Sequence, residues 1–360
     1  MDVGKLTLGV IWNGNSVNAT DICSTRPMAA QILRGKSSAQ VLQIVPLLFS
    51  VCGRAQGAAA SAALQAAQQG DESDAAAVER TIVCEALQEH LWRLMLDWPK
   101  LMGLERQEPR FAGWYAMLRK IASSEVGMEV FLHEFERDCL GMTVEEWDAL
   151  DSYHKLQVWI SKAHSPLVQL LAKLVEPVQV FSPTSTGARL LPAWTAAQAN
   201  QACAARWETE FSARPDWLGD AAETGAWSYY ADNKLLQDVW QQSGSRALTR
   251  VLARMMDVVA MASASAAPRL DVCSAEASAG VAVVRTARGL LMHYVRLDAG
   301  LVRDYVIVAP TEWNFHQQGA FAQDMHGLQE LDAERLQLVA QISALSLDPC
   351  VAYEVEIRNA

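Results

Sequence analysis

Four short loops in this sequence carry side chains that could do chemistry. Two of them hold a thiol. Cys52 stands in Ser50-Val51-Cys52-Gly53-Arg54-Ala55, and Cys350 in Leu347-Asp348-Pro349-Cys350-Val351-Ala352-Tyr353. A third, Ala287-Arg288-Gly289, holds a guanidinium. The fourth, Pro310-Thr311-Glu312-Trp313-Asn314, holds a hydroxyl and an amide. Thiolates are soft metal donors, and guanidinium and hydroxyl groups donate hydrogen bonds to anions. Each residue also has a plainer reading. A solitary cysteine commonly serves as a small buried hydrophobe. Arg288 would be an exposed turn arginine, and Thr311 would satisfy a strand end. Cys52 and Cys350 lie 298 residues apart, so spacing alone does not bring them together. Pro349 fixes its own φ and is expected to push Asp348 towards an extended conformation, leaving Cys350 on a stiff corner.

The elements that would position these loops can be read along the chain. Lys5–Trp12 and Ser16–Ile22 flank Asn13-Gly14, the strongest short-range hairpin signal, which predicts a β-hairpin over 1–22. A short helix should run from Pro27 to Gly35, and a second should start at Ser37 or Ser38 and end or kink at Pro46. Cys52-Gly53 then falls between that helix and the next. The Ala-rich stretch 57–69 suits close helix packing, and 70–74 reads as a loop. A long helical pattern follows from Ala75 to Trp98, in which His90 is best taken as a core or surface histidine. Three or four further helices, broken near Gly127, Gly141 and Ser165-Pro166, complete a helical core over 27–176.

Residues 177–246, rich in Trp, Pro, Gly and Ser, form an irregular segment that should wrap something or bind a partner. After a helix over 247–261, three strands form a β-meander at 281–286, 290–297 and 302–308. A last amphipathic helix from Asp332 leads into Asp348-Pro349-Cys350. The whole chain, 1–360, reads as one domain of an α+β, mostly α, fold.

Bulk properties exclude several classes. A net charge of −11, with no basic stripe, argues against a nucleic-acid binder. No stretch is apolar enough for a membrane span, and the first residues lack a signal peptide's basic and apolar regions. The seven cysteines are odd in number and widely spaced, with no CxxC. That favours reduced thiols in a cytoplasm and excludes a zinc ribbon.

Taken in order, the four loops resemble motifs of the large subunit of nickel–iron hydrogenases. That family carries Arg-x-Cys-Gly-x-Cys near its N-terminus, an Arg-Gly turn entering a β-meander, a Pro-Ser/Thr-Thr-Trp-Asn segment, and Asp-Pro-Cys-x-x-Cys-x-x-His at its C-terminus. The best-matched stretches are Ile32 to Gly53, Arg288 to Asn314, and the tail. The resemblance implies a hydrogenase large-subunit-like helical core with an N-terminal hairpin and a C-terminal meander.

The departures are as informative. Each cysteine motif keeps only its first member: Ala55 and Tyr353 occupy the second positions, Ser50 replaces the arginine and Glu356 the histidine. Val3 stands where the enzymes have a proton-relaying glutamate. A dinuclear nickel–iron centre uses four thiolates, so the resemblance implies a protein that is not an enzyme and holds no nickel. The chain ends four residues beyond Glu356, which implies no proteolytic processing.

Arg288 and Thr311 match the residues that meet the iron's cyanide ligands in the family. In the family the second cysteine of each motif bridges nickel and iron. Cys52 and Cys350, at the first positions, are soft donors that could hold the iron fragment without that pair, with Glu354 or Glu356 as an open choice for a further ligand. The sequence is thus similar to hydrogenase maturation scaffolds of the HupK/HoxV type. These are implied to receive Fe(CN)2(CO) from a small HypC-type chaperone and an iron-loading maturation protein, and to pass it to the hydrogenase large subunit as client. The alternative is a metal-free structural paralogue that binds hydrogenase or maturation partners.

Overall fold

Gly280 accounts for the alanines at 57–69. A Cβ built there would stand 2.2 Å from the Ala63 carbonyl oxygen and 2.8 Å from the Ala67 nitrogen. The helix backbone therefore lies directly against a strand, an approach that only small side chains permit on either side. The computed structural model describes residues 4–25, 29–49, 51–69, 74–175, 187–203 and 206–360. The expected features at Val3, Pro27, Ser50, 70–73, 177–186 and 204–205 lie outside the described residues. The chain divides into two compact units. The first comprises Met1–Ile82, Gly187–Ser228 and Pro268–Ala360, and the second Val83–Thr186 and Tyr229–Ala267.

In the first unit, β1 (Leu6–Trp12) and β2 (Val17–Ser24) form the expected hairpin, in register from Leu6↔Ser24 to Trp12↔Val17. The Asn13 side chain closes its turn by accepting the amide N–H groups of Asn15 and Ser16, at 3.0 and 2.8 Å. Residues Ala29–Leu33 make a short 3-10 helix. Helix α1 (Ser38–Leu48) starts with a Ser37/Gln40 capping box. It runs two residues past Pro46, where an end or a kink was expected. So near the C-terminus, the ring forfeits one hydrogen bond without breaking the helix. Helix α2 (Gly53–Gln68) follows, with Cys52 at its N-cap.

The meander has four strands, not three. β3 (Leu270–Glu276), β4 (Ala279–Thr286), β5 (Gly289–Asp298) and β6 (Leu301–Val308) lie in sequential antiparallel order. The additional strand is an edge, with Asp271, Ser274 and Glu276 among its residues, so it lacks the apolar run that marks the other three.

Both faces of β4 are buried. Ala282 and Val284 share a cluster with Ala55, Ala59 and Ala63 of α2. Val281 and Val283 share another with Leu191, Trp194, Phe211 and Trp313. The irregular Trp-rich segment thus covers the second face of the meander. Helix α3 (Ala333–Leu347) begins at an Asp332 N-cap. After it comes β7 (Tyr353–Asn359), which pairs in parallel with β1 from Leu6↔Tyr353 to Trp12↔Asn359. The sequence reading had no strand there.

The second unit is helical. Between 108 and 175 five helices appear where three or four were expected, at Glu108–Ala122, Met128–Phe135, Val144–Asp148, Tyr153–Lys162 and Pro166–Val175. The predicted breaks at Gly127, Gly141 and Ser165 account for three of the four gaps, and the fourth falls at 149–152. The helix Arg246–Ala262 is buried along nearly its whole length. Its Asp257 meets His90 Nε2 at 2.8 Å and accepts from the Tyr230 hydroxyl at 2.9 Å. His90 is therefore a core histidine held by a carboxylate.

Candidate functional site

Arg288 is not an exposed turn residue. It sits in the tight β4–β5 turn, where Thr286 pairs with Gly289. The Thr286 hydroxyl donates to the Gly289 carbonyl at 2.7 Å and accepts the Arg288 amide N–H at 3.2 Å. Gly289 adopts φ +134°, and a Cβ there would strike Thr224 Cγ2 at 2.5 Å, so only glycine fits. The Arg288 side chain turns inward, and its Nε donates to Asp348 Oδ1 at 3.0 Å. Both side chains are 5 % exposed or less.

Asp348 is not extended as expected from the following proline. It takes the left-handed conformation, φ +54°, and terminates α3 with its N–H on the Ala344 carbonyl. Aspartate is one of the few residues that tolerate this region, and here its carboxylate is held by Arg288. Two residues on, the Cys350 amide N–H donates to Thr311 Oγ1 at 3.1 Å. Thr311 is buried in the short helix Pro310–Asn314, whose Asn314 accepts the Thr224 N–H at 2.8 Å and donates to the Thr224 carbonyl at 2.9 Å. Asn314 also reaches the Leu347 carbonyl at 3.4 Å. Thr224 in turn accepts the Leu290 N–H at 2.9 Å. The Arg288 turn, the Thr311 helix and the Asp348–Cys350 tail are therefore fastened together, with Thr224 as a rivet that sequence reasoning missed.

Cys52 is buried and shares a core cluster with Ala309, two residues before Thr311. Its sulfur faces Gln56 Nε2 at 3.8 Å. Gln56 Oε1 meets His293 Nε2 at 2.8 Å, and His293 Nδ1 meets the Tyr305 hydroxyl at 2.9 Å. None of these three partners was singled out from sequence. Full burial pulls the His293 pKa down to about 3 and pushes that of Tyr305 far above the ordinary phenol range.

Residues 235–356 match the family model for nickel-dependent hydrogenases. The chain is 32% identical to the hydrogenase expression/formation protein HoxV of Cupriavidus necator, over 94% of this chain and 93% of that one. The chain belongs to the HoxV/HupK family of hydrogenase expression/formation proteins. Within that family it is also 30% identical to HupK of Azotobacter vinelandii, over 99% of both chains. Among solved structures it is similar to the Ni-Fe-Se hydrogenase of D. vulgaris Hildenborough, with a TM-score of 0.58, 14% identity, and 93% of this chain and 94% of that one covered. That likeness shows a shared fold, the α+β, mostly helical, hydrogenase large-subunit fold expected from the sequence.

In this HoxV/HupK family member the two positions that lack the second cysteines are ordinary structure. Ala55 is buried in α2 and Tyr353 opens β7. Glu354 and Glu356, open choices as ligands, lie on β7. Glu354 pairs with Lys5, whose hydrogen bond holds the carboxyl below the usual range. Glu356 pairs with Arg358 at 2.8 Å. Among the described residues, no three His, Cys, Asp or Glu side chains cluster in a way that could hold a metal ion. Cys139 and Cys203 are buried, and desolvation pushes both thiols up to about 12, as suits structural fillers. A cavity of about 380 Å³ borders Thr311, with Phe49, Arg214, Tyr305 and Ile307 among its walls. Among the described residues, no helix is long and apolar enough to cross a membrane.

Proposed function

We propose that this protein is a non-catalytic scaffold that carries the Fe(CN)2(CO) fragment during assembly of the nickel–iron hydrogenase active site. One observation carries the reading. Arg288 and Thr311, the two residues matched to a cyanide pocket, both bond to the Asp348–Cys350 tail that would supply a thiolate. In this role Cys52 and Cys350 hold the iron as soft donors. Thr311 already accepts an N–H through its oxygen, so its own hydrogen can be donated to a cyanide nitrogen. Arg288, steadied by Asp348, offers a charge-assisted donor in a dry setting. The fragment brings its own cyanide and carbonyl ligands, so two thiolates suffice. Nickel, which needs the bridging pair, has no place, and Ala55 and Tyr353 stand where that pair would be.

The relatives' names point to hydrogenase formation, and the carrier role assigns the partners. A small HypC-type chaperone with an iron-loading maturation protein would deliver the fragment, and the hydrogenase large subunit would receive it, all in the cytoplasm. Protein purified anaerobically from cells with the maturation machinery should contain iron without nickel and show infrared bands of bound CO and cyanide. Cys52→Ala or Cys350→Ala should abolish the bands. Wild-type protein without iron under those conditions would favour a metal-free paralogue that only binds partners. Hydrogen uptake or exchange by the purified chain would overturn the non-catalytic reading.

A further inference from the structure

The scaffold reading leaves three buried polar residues beside Cys52 without a task. Gln56, His293 and Tyr305 are each at most 4% exposed. They come from α2, β5 and β6, and they form a continuous file that ends on the sulfur: Tyr305 Oη to His293 Nδ1 at 2.9 Å, His293 Nε2 to Gln56 Oε1 at 2.8 Å, Gln56 Nε2 to Cys52 Sγ at 3.8 Å.

The file has a direction. An amide oxygen only accepts, so His293 must carry its hydrogen on Nε2. A neutral imidazole then has a bare Nδ1, which accepts from the Tyr305 hydroxyl. Burial keeps the ring neutral and the phenol protonated, so neither end can reverse by titration at working pH. With its oxygen engaged by the ring, Gln56 turns its NH2 to the sulfur. The opposite rotamer would set the amide oxygen against a thiolate, lone pair against lone pair.

We propose that Tyr305, His293 and Gln56 form a one-way hydrogen-bond chain that presents a fixed N–H to the Cys52 sulfur and so tunes its electron donation to a bound metal. Gln56 touches the donor atom, and His293 and Tyr305 are positioning residues. The chain itself stands on the geometry above; the identity of the metal rests on the scaffold reading. A hydrogen bond to a metal-bound thiolate withdraws density from sulfur, as partners beyond the ligands do in metal sites generally. Less density on iron means less back-donation into a carbonyl, and a higher CO stretching frequency.

Two measurements test this separately. In loaded protein, Gln56→Met removes the donor at nearly constant volume. Its CO band should move to lower wavenumber with iron content unchanged. His293→Phe should move the band the same way, and Tyr305→Phe should move it less, because the ring loses only its orienting donor. A CO band in Gln56→Met coincident with wild type would overturn the tuning role. In metal-free protein, nitrogen NMR of labelled histidine should show His293 as the Nε2–H tautomer. The resonance is identified by its absence in His293→Phe or, should that variant not fold, by its shift in Tyr305→Phe. An Nδ1–H tautomer would overturn the chain. A wild-type protein without CO or cyanide bands would defeat the scaffold reading alone, and the tautomer would still decide the chain.

Discussion

Replacing Arg288 by leucine should unfold the first unit well below its normal temperature. The wild-type pair is dry: the two side chains are 5% and 0% exposed, with Nε and Oδ1 3.0 Å apart. Taking away one partner of a buried ion pair strands the other charge in a medium that cannot solvate it, at a cost of about 3–5 kcal/mol. For a unit of roughly 200 residues, each kcal/mol moves Tm by about 2–4 °C, so a drop on the order of 6–20 °C is expected. Calorimetry and tryptophan fluorescence both read this.

The decisive arm is the double variant. Asparagine tolerates the left-handed conformation of residue 348, so Asp348→Asn removes the charge without straining the backbone. Arg288→Leu with Asp348→Asn should therefore be more stable than Arg288→Leu alone. If Arg288→Leu melts within about 0.5 kcal/mol of wild type, a difference typical of an ordinary surface substitution, the buried-pair argument is wrong. It is equally wrong if the second substitution makes the first worse.

Two further outcomes follow from the same packing. Gly280→Ala forces a methyl group into the Ala63 carbonyl at 2.2 Å, and as both neighbours are backbone, the expected loss is at the top of the ~1–3 kcal/mol range for overpacking, or beyond it, by urea titration. His293 sets a pH dependence. Its folded pKa of about 3 lies below the ordinary 6.5, so between these values the unfolded chain binds the extra proton. Its contribution to stability is complete above pH 6.5 and is lost as pH falls, by up to about 1.4 kcal/mol per pH unit. Urea midpoints in His293→Gln should fall less steeply below pH 6.5 than in wild type, and equal slopes would contradict the assignment.

The sequence was most legible where short-range rules decide. Asn13-Gly14 placed the hairpin, Ser37 and Asp332 placed two helix starts, and the alternation in Val281–Val308 placed three strands. What it hid depends on distant partners. The strand Leu270–Glu276 is polar because it is an edge. Tyr353–Asn359 becomes a strand only because β1 is available. Pro349 suggested an extended Asp348, but helix termination and the Arg288 contact select the left-handed state instead. The site divided in the same way. Motif resemblance singled out Cys52, Arg288, Thr311 and Cys350, and the structure joins the last three through Asp348 and the Thr311 hydroxyl. Thr224 and the Gln56–His293–Tyr305 file were invisible, since Gln56 and His293 are 237 residues apart and no local pattern links them.

The pairing of β7 with β1 has a kinetic consequence. Thr7 and Glu354, neighbours across that ladder, are 347 residues apart in the chain. Closing a loop of that length is slow relative to the local helix contacts of the second unit, whose two segments both lie inside it. The order of events is then set by topology: the helical unit can form early, while the sheet that anchors the chain just beyond Cys350 is among the last elements to lock. Until it does, Cys350 is held from the α3 side and through its N–H on Thr311, while the chain just beyond it is not yet fixed.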